Sequence, residues 1–139
     1  MTIQTLEISV PSKGKSDMID TTDAVAEAVS KSKISEGIVN IFVPGSTASI
    51  STVEYEPGLL KDVPRALEQI APFGPDYAHH ETWHDDNGAS HVRATLMGPG
   101  IVVPFKDNTL LLGTWQQLIC IDHDTRPRER KIILTILGD

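Results

Sequence analysis

A chain of 139 residues has room for one hydrophobic core and not for two, so residues 1–139 are expected to form a single domain. Hydrophobic residues at 40%, charged at 22% and aromatic at only 5% describe a soluble globular protein whose core rests on Val, Ile, Leu and Ala. A formal charge of −7 repels other polyanions at long range, which excludes nucleic acid and anionic membrane surfaces as non-specific partners.

Met1 is followed by Thr2-Ile3-Gln4-Thr5 rather than by a basic and then an apolar stretch. No later apolar run approaches the roughly 20 residues that cross a bilayer, so a cytoplasmic protein with no membrane partner is expected. From Thr2 to Val10 apolar residues alternate (Ile3, Leu6, Ile8, Val10, with one slip), which predicts a strand with one wet face before a turn at Pro11–Lys15. An alanine-rich segment after Thr21 or Thr22 as cap spaces Val25 and Val29 four apart and predicts a helix ending before Gly37. A buried strand is expected at Ile38–Val43 and an extended piece at Thr47–Glu54, with Gly45 marking a close backbone approach between them.

Residues 58–70 space Leu59, Leu60, Val63, Ala66, Leu67 and Ile70 as a helix, with Pro64 near enough to its start to be tolerated. The stretch from His79 to His91 lacks periodicity and reads as a long functional loop. Strands are predicted at His91–Leu96, Gly100–Pro104, Leu110–Ile121 and Lys131–Leu137, separated by Gly98-Pro99, Lys106-Asp107-Asn108 and Thr125-Arg126-Pro127. Cys120 is the only cysteine, so no intrachain disulfide forms, and it reads as a small buried hydrophobe. His123, between Asp122 and Asp124, reads as a solvated strand end. Two early helices and a run of late strands predict an α+β fold with a largely antiparallel sheet.

Four of the five histidines, His79, His80, His84 and His91, lie in thirteen residues interleaved with Glu81, Asp85 and Asp86. Imidazole and carboxylate bind divalent metals and carry protons near neutral pH, so the segment points to a site. His80 and His91 are too far apart for one helical turn and would converge only if the chain folds back.

Several strings resemble the YjbQ family, to which secondary thiamine-phosphate synthase activity is attributed. They are Pro44-Gly45-Ser46-Thr47-Ala48-Ser49, Glu54, Asp62, the spacing Tyr77…His80…Asp86-Asn87…His91, Gly98, Leu112-Gly113-Thr114-Trp115-Gln116, and Arg128-x-Arg130 before a last strand closing at Gly138. The chain departs from the common pattern where Gly45-Ser46-Thr47-Ala48 replaces a His-Thr-Thr-Ala string and Val53 replaces an Asn, as in an archaeal-like subgroup. The resemblance implies a β-sandwich-like α+β fold, a homotrimer, and a pocket near the histidines holding a divalent metal, zinc foremost with magnesium as the alternative. It implies coupling of a hydroxymethylpyrimidine diphosphate to a thiazole phosphate with release of diphosphate.

Within that frame His80 and His91 are the expected metal ligands. Glu54, Asp86 and Arg128 are the candidate catalytic groups. Asp86 has two readings, a turn former with Asn87-Gly88 or a carboxylate orienting a liganding imidazole; Glu54 is a proton acceptor or a salt-bridge partner. Arg128 suits phosphate because guanidinium donors match its oxygens in pairs. Ser46 and Thr47 follow Gly45 in a turn whose N–H groups suit an anion, while Trp115 and Gln116 offer an aromatic wall and an amide, so these four are the expected residues for a small phosphorylated ligand. Two rivals stand: a metal-dependent hydrolase of a phosphate ester, and a non-enzymatic metal- or ligand-binding module.

Overall fold

A computed structural model describes all residues from Met1 to Asp139. In chain order the elements are β1 (Thr2–Ser12), β2 (Asp17–Asp20), α1 (Thr22–Lys31), β3 (Glu36–Phe42), β4 (Ala48–Val53), α2 (Leu59–Ile70), α3 (Ala78–Trp83), α4 (Gly88–Met97), β5 (Gly100–Lys106), β6 (Thr109–Leu110), β7 (Gln117–Asp122) and β8 (Arg128–Gly138). All pairs are antiparallel, in a five-stranded sheet ordered β1-β8-β3-β5-β6 and a three-stranded sheet ordered β2-β7-β4. The fold is the expected α+β, β-sandwich-like one, with two further helices after the first two.

The alternation along β8 explains the layering. Ile132, Leu134 and Ile136 are fully buried and meet Val39 and Ile41 of β3, Val25 and Val29 of α1, and Leu118 and Cys120 of β7 in the main core. Each such side chain contributes about 1.5–3 kcal/mol by leaving water. The opposite face of β7 sends Ile119 and Ile121 under α2 and α4, against Leu60, Val63 and Met97. Hence β7 is apolar at consecutive positions: both its faces are covered. The outer face of the large sheet is not. Register places Ile3, Leu137, Ile38 and Pro104 in one row and Glu7, Ile133 and Phe42 in another, and Ile3 (66%), Phe42 (40%) and Val102 (55%) stay exposed. The slip in the period of β1 is therefore real, because Ile3 points away from the core that receives Ile8 and Val10.

Several expectations are corrected. Strand β1 runs on through Pro11 to Ser12, pairing with Arg128, and the turn tightens to residues 13–16. Thr21 is the N-cap residue of α1, one of the two expected, but its side chain makes no capping hydrogen bond; Asp20 Oδ1 accepts from the Thr22 N–H at 2.9 Å instead. Pro64 lies inside α2, past its first turn. Glu56 holds that helix's start, accepting from the N–H groups of Gly58 and Leu59. The expected strand Leu110–Ile121 is broken by a turn in which Gly113 donates to Gln116 Oε1 at 3.0 Å.

The largest correction concerns the histidine segment. It is mostly helix, α3 and the first turn of α4, with only residues 84–87 left as a connecting loop, and His91–Leu96 is helix, not strand. The alternating Val92, Ala94 and Leu96 mimic a strand, but the core-facing set is Ala89, Ser90, Arg93 and Ala94, with Val92 and Leu96 turned outward. The buried Arg93 is satisfied by donating to Ala71 O (2.8 Å), Ser16 Oγ (3.0 Å) and Glu68 Oε2 (2.5 Å), and it lies 3.9 Å over the Phe73 ring.

Candidate functional site

Strands β4 and β7 pair from Ala48↔Asp122 to Val53↔Gln117. Residues before β4 and after β7 therefore share one end of the pair, while Glu54, Trp115 and Gln116 share the other, roughly 20 Å away at strand rise.

At the first end Asp122 accepts from Arg130 Nε (2.9 Å) and Nη2 (2.7 Å) and from the Ser12 hydroxyl. Asp124 accepts from Arg128 Nε (2.9 Å), the Thr125 N–H (2.7 Å) and Thr47 Oγ1 (3.2 Å), and Arg130 Nη2 also donates to Thr47 Oγ1 at 2.7 Å. Burial pushes both carboxyls up, but for Asp122 the Arg130 and Ser12 hydrogen bonds, and for Asp124 the Thr125 N–H and Arg128, outweigh it and hold each below the usual carboxylate range.

Between them His123 is fully buried, correcting its expected solvation. Its Nδ1 lies 2.8 Å from Ser16 Oγ and its Nε2 3.0 Å from Ser49 Oγ. Arg93 Nη1 donates to the same Ser16 oxygen at 3.0 Å, so this hydroxyl joins the imidazole to the guanidinium. Burial and the Arg93 charge pull its pKa down to about 4, so the ring is neutral at pH 7. Cys120, also fully buried, is pushed up to about 12 by its burial and carries no thiolate.

Helices α3 and α4 stand beside this end. His91 meets His79 with ring centroids 4.5 Å apart and the planes tilted by 56°, and His79 Nε2 is 3.4 Å from Asp85 Oδ1. His80, about 100° further round α3, instead donates from Nδ1 to the Asp85 carbonyl at 2.7 Å, with Asp86 Oδ1 at 3.5 Å and His84 edge-on at 5.9 Å. The ring brought to His91 is thus His79, while His80 is oriented by the Asp85 carbonyl, with the Asp86 carboxylate nearby. No three His, Cys, Asp or Glu side chains are arranged to hold a cation. The donor set of one chain falls short of a closed zinc site, which takes four ligands.

His91 opens onto a cleft of about 170 Å³ lined also by Gly45, Ser46, Ala48, Thr95 and Pro99. A second cleft, of about 220 Å³, lies between Asp85, Asn87, Asp124, Arg126 and Arg128 and has no apolar wall. At the start of α4 the buried Asn87 Oδ1 and Ser90 Oγ have no hydrogen-bond partner. At the far end Glu54 is exposed and unpaired, Trp115 is 72% exposed, and Gln116 Nε2 donates to Thr52 Oγ1 at 3.2 Å. The predicted residues thus divide: Ser46, Thr47, Asp86, His80, His91 and Arg128 toward one end, Glu54, Trp115 and Gln116 at the other. Sequence reasoning missed Asp122, His123 and Asp124 as a network; the one signal was three polar residues abutting a wholly apolar strand with no turn former between.

A model of the YjbQ-like UPF0047 proteins matches residues 6–139. The chain belongs to the YjbQ-like family. A UPF0047 protein of Archaeoglobus fulgidus is 33% identical over 132 residues, 95% of this chain and 100% of the relative. One of Methanothermobacter thermautotrophicus is 34% identical over 138 residues, 99% of this chain and 94% of the relative. Among solved structures, a YbjQ-like protein of unknown function from Sulfolobus solfataricus superposes with a TM-score of 0.90 at 34% identity, covering 99% of both chains. A hypothetical protein of Aeropyrum pernix gives 0.91 at 29% identity, covering 98% of this chain and 99% of the other. The YjbQ-like fold therefore extends over both ends of the β4–β7 pair.

Proposed function

We propose that the protein is a cytoplasmic homotrimer with secondary thiamine-phosphate synthase activity, its site assembled between subunits. The observation that carries this reading is the division of the candidate residues between opposite ends of β4 and β7. A ring of three joins unlike patches of neighbouring copies, so one copy's Glu54, Trp115 and Gln116 would face the next copy's His91 and Arg128. The uncovered apolar face of the large sheet, with Ile3, Phe42 and Val102, supports self-association, since such faces mark contact surfaces.

In the reaction the bond from the pyrimidine methylene to its diphosphate breaks, the diphosphate leaving with the electron pair. The thiazole nitrogen lone pair then forms the new C–N bond and the ring becomes a thiazolium cation. Arg128 and the turn at Ser46 and Thr47 serve the leaving anion, Trp115 stacks on the pyrimidine, Gln116 orients it, and the Glu54 and Asp86 carboxylates lie against the developing cation. A divalent metal, zinc foremost or magnesium, belongs to the reading with His91 as one of its ligands, the others coming from groups beyond the His79–His91 pair of one chain; no step above passes through it.

The purified protein, supplied with zinc or magnesium, is expected to form thiamin phosphate from the two phosphates, with turnover reduced about 100-fold or more in Arg128→Ala and bound metal lowered in His91→Ala. No product under either metal would overturn the reading. Turnover on simple phosphate esters alone would favour a hydrolase using the Asp85–His79 pair beside His91.

A further inference from the structure

The turn between β3 and β4 has more donors than the chain uses. The backbone N–H groups of Gly45, Ser46 and Thr47 donate to nothing within the chain, and the Ser46 hydroxyl is likewise free. Gly45 and Ser46 are exposed and Thr47 is buried, and consecutive N–H groups in a turn form a concavity suited to an anion. Beside them stands Arg130, whose Nε and Nη2 are committed to Asp122 and Thr47 but whose Nη1 makes no hydrogen bond. A Cβ at Gly45 would come within 3.5 Å of that Nη1, so the absence of a side chain, together with the φ of +117°, leaves the space beside the guanidinium open. Gly45 and Ser46 also line the cleft into which His91 and Thr95 project.

We propose that this turn is a binding site for one phosphate group of a phosphorylated ligand, held by the free N–H groups of residues 45–47, the Ser46 hydroxyl and Arg130 Nη1, with His91 over it. The site deepens the function proposed above by placing the terminal phosphate of a diphosphate, and it rests on that reading only for the anion's identity. Arg128 and Arg130 balance Asp122 and Asp124 in charge, so donor geometry rather than net charge holds the anion.

The test is calorimetric titration of the intact protein with inorganic phosphate and diphosphate, because binding needs no turnover. Substituting Arg130 or Gly45 would disturb the fold, so the informative variant is Thr95→Glu, an exposed position on α4 that sets a carboxylate in the cleft. Diphosphate affinity is expected to fall at least tenfold in Thr95→Glu, at unchanged melting temperature, and to stay at the wild-type value in Arg126→Ala, which alters the neighbouring polar cleft. No binding by wild type, wild-type affinity in Thr95→Glu, or loss confined to Arg126→Ala would each overturn the proposal. Diphosphate binding without synthase turnover would leave this site standing while removing the proposed activity.

Discussion

Arg130→Ala should lower the free energy of unfolding by about 3–5 kcal/mol, the cost of stranding one partner of a buried ion pair. Asp122 is fully buried, and Arg130 supplies two of its hydrogen bonds while a third comes from Ser12. Removing the guanidinium leaves a buried carboxylate with only the Ser12 hydroxyl and the Asp124 N–H as donors, neither of them charged, and takes a donor from Thr47 as well. Arg128→Ala is the internal contrast: its side chain is 38% exposed, so water screens the pair with Asp124 and about 1 kcal/mol or less should be lost. Urea unfolding of both variants at pH 7 measures the difference. Equal losses would contradict the assignment of Arg130 as the keystone of this end of the sheet.

His123 should make stability fall as the solution is acidified from pH 6.5 toward pH 4. In the unfolded chain it titrates near 6.5, whereas burial and Arg93 hold it to about 4 in the folded one. Between those values the unfolded state binds more protons, so stability rises with pH: the contribution is fully present above 6.5 and is lost as pH falls to 4. The gap amounts to roughly 3 kcal/mol at about 1.4 kcal/mol per unit. Arg93, Asp122 and Arg130 are the charges that face the ring, and the two aspartates, held low, lose their own contributions only below this window. In His123→Gln the dependence between pH 4 and 6.5 should flatten, as read from urea midpoints at each pH. A slope unchanged by the substitution would show that other groups titrate there.

What was legible in the sequence follows from how locally each feature is determined. Val25 and Val29 announce α1 and Ile132, Leu134 and Ile136 announce β8 because their spacing alone selects the buried face. Helix α4 was not legible because its pattern is inverted: small and polar residues face inward and Val92 and Leu96 outward, so apolar periodicity points to the wrong structure. The burial of His123 depends on Ser16, Ser49 and Arg93, which lie far off along the chain, and no local rule joins them. The candidate residues were identifiable as types. Their division between two ends of β4 and β7 was not, because it follows from strand pairing.

The most direct test of that division is to mix subunits. His91→Ala and Trp115→Ala proteins should each be inactive as pure assemblies, with a mass in solution three times the 15.2 kDa of the chain. Unfolded together and reassembled in equal amounts, they should regain about a quarter of wild-type thiamin phosphate formation, the share of head-to-tail contacts that pair two intact ends in a ring. A mixture as inactive as its parents, or a wild-type protein that is monomeric and fully active, would contradict a site shared between neighbouring copies.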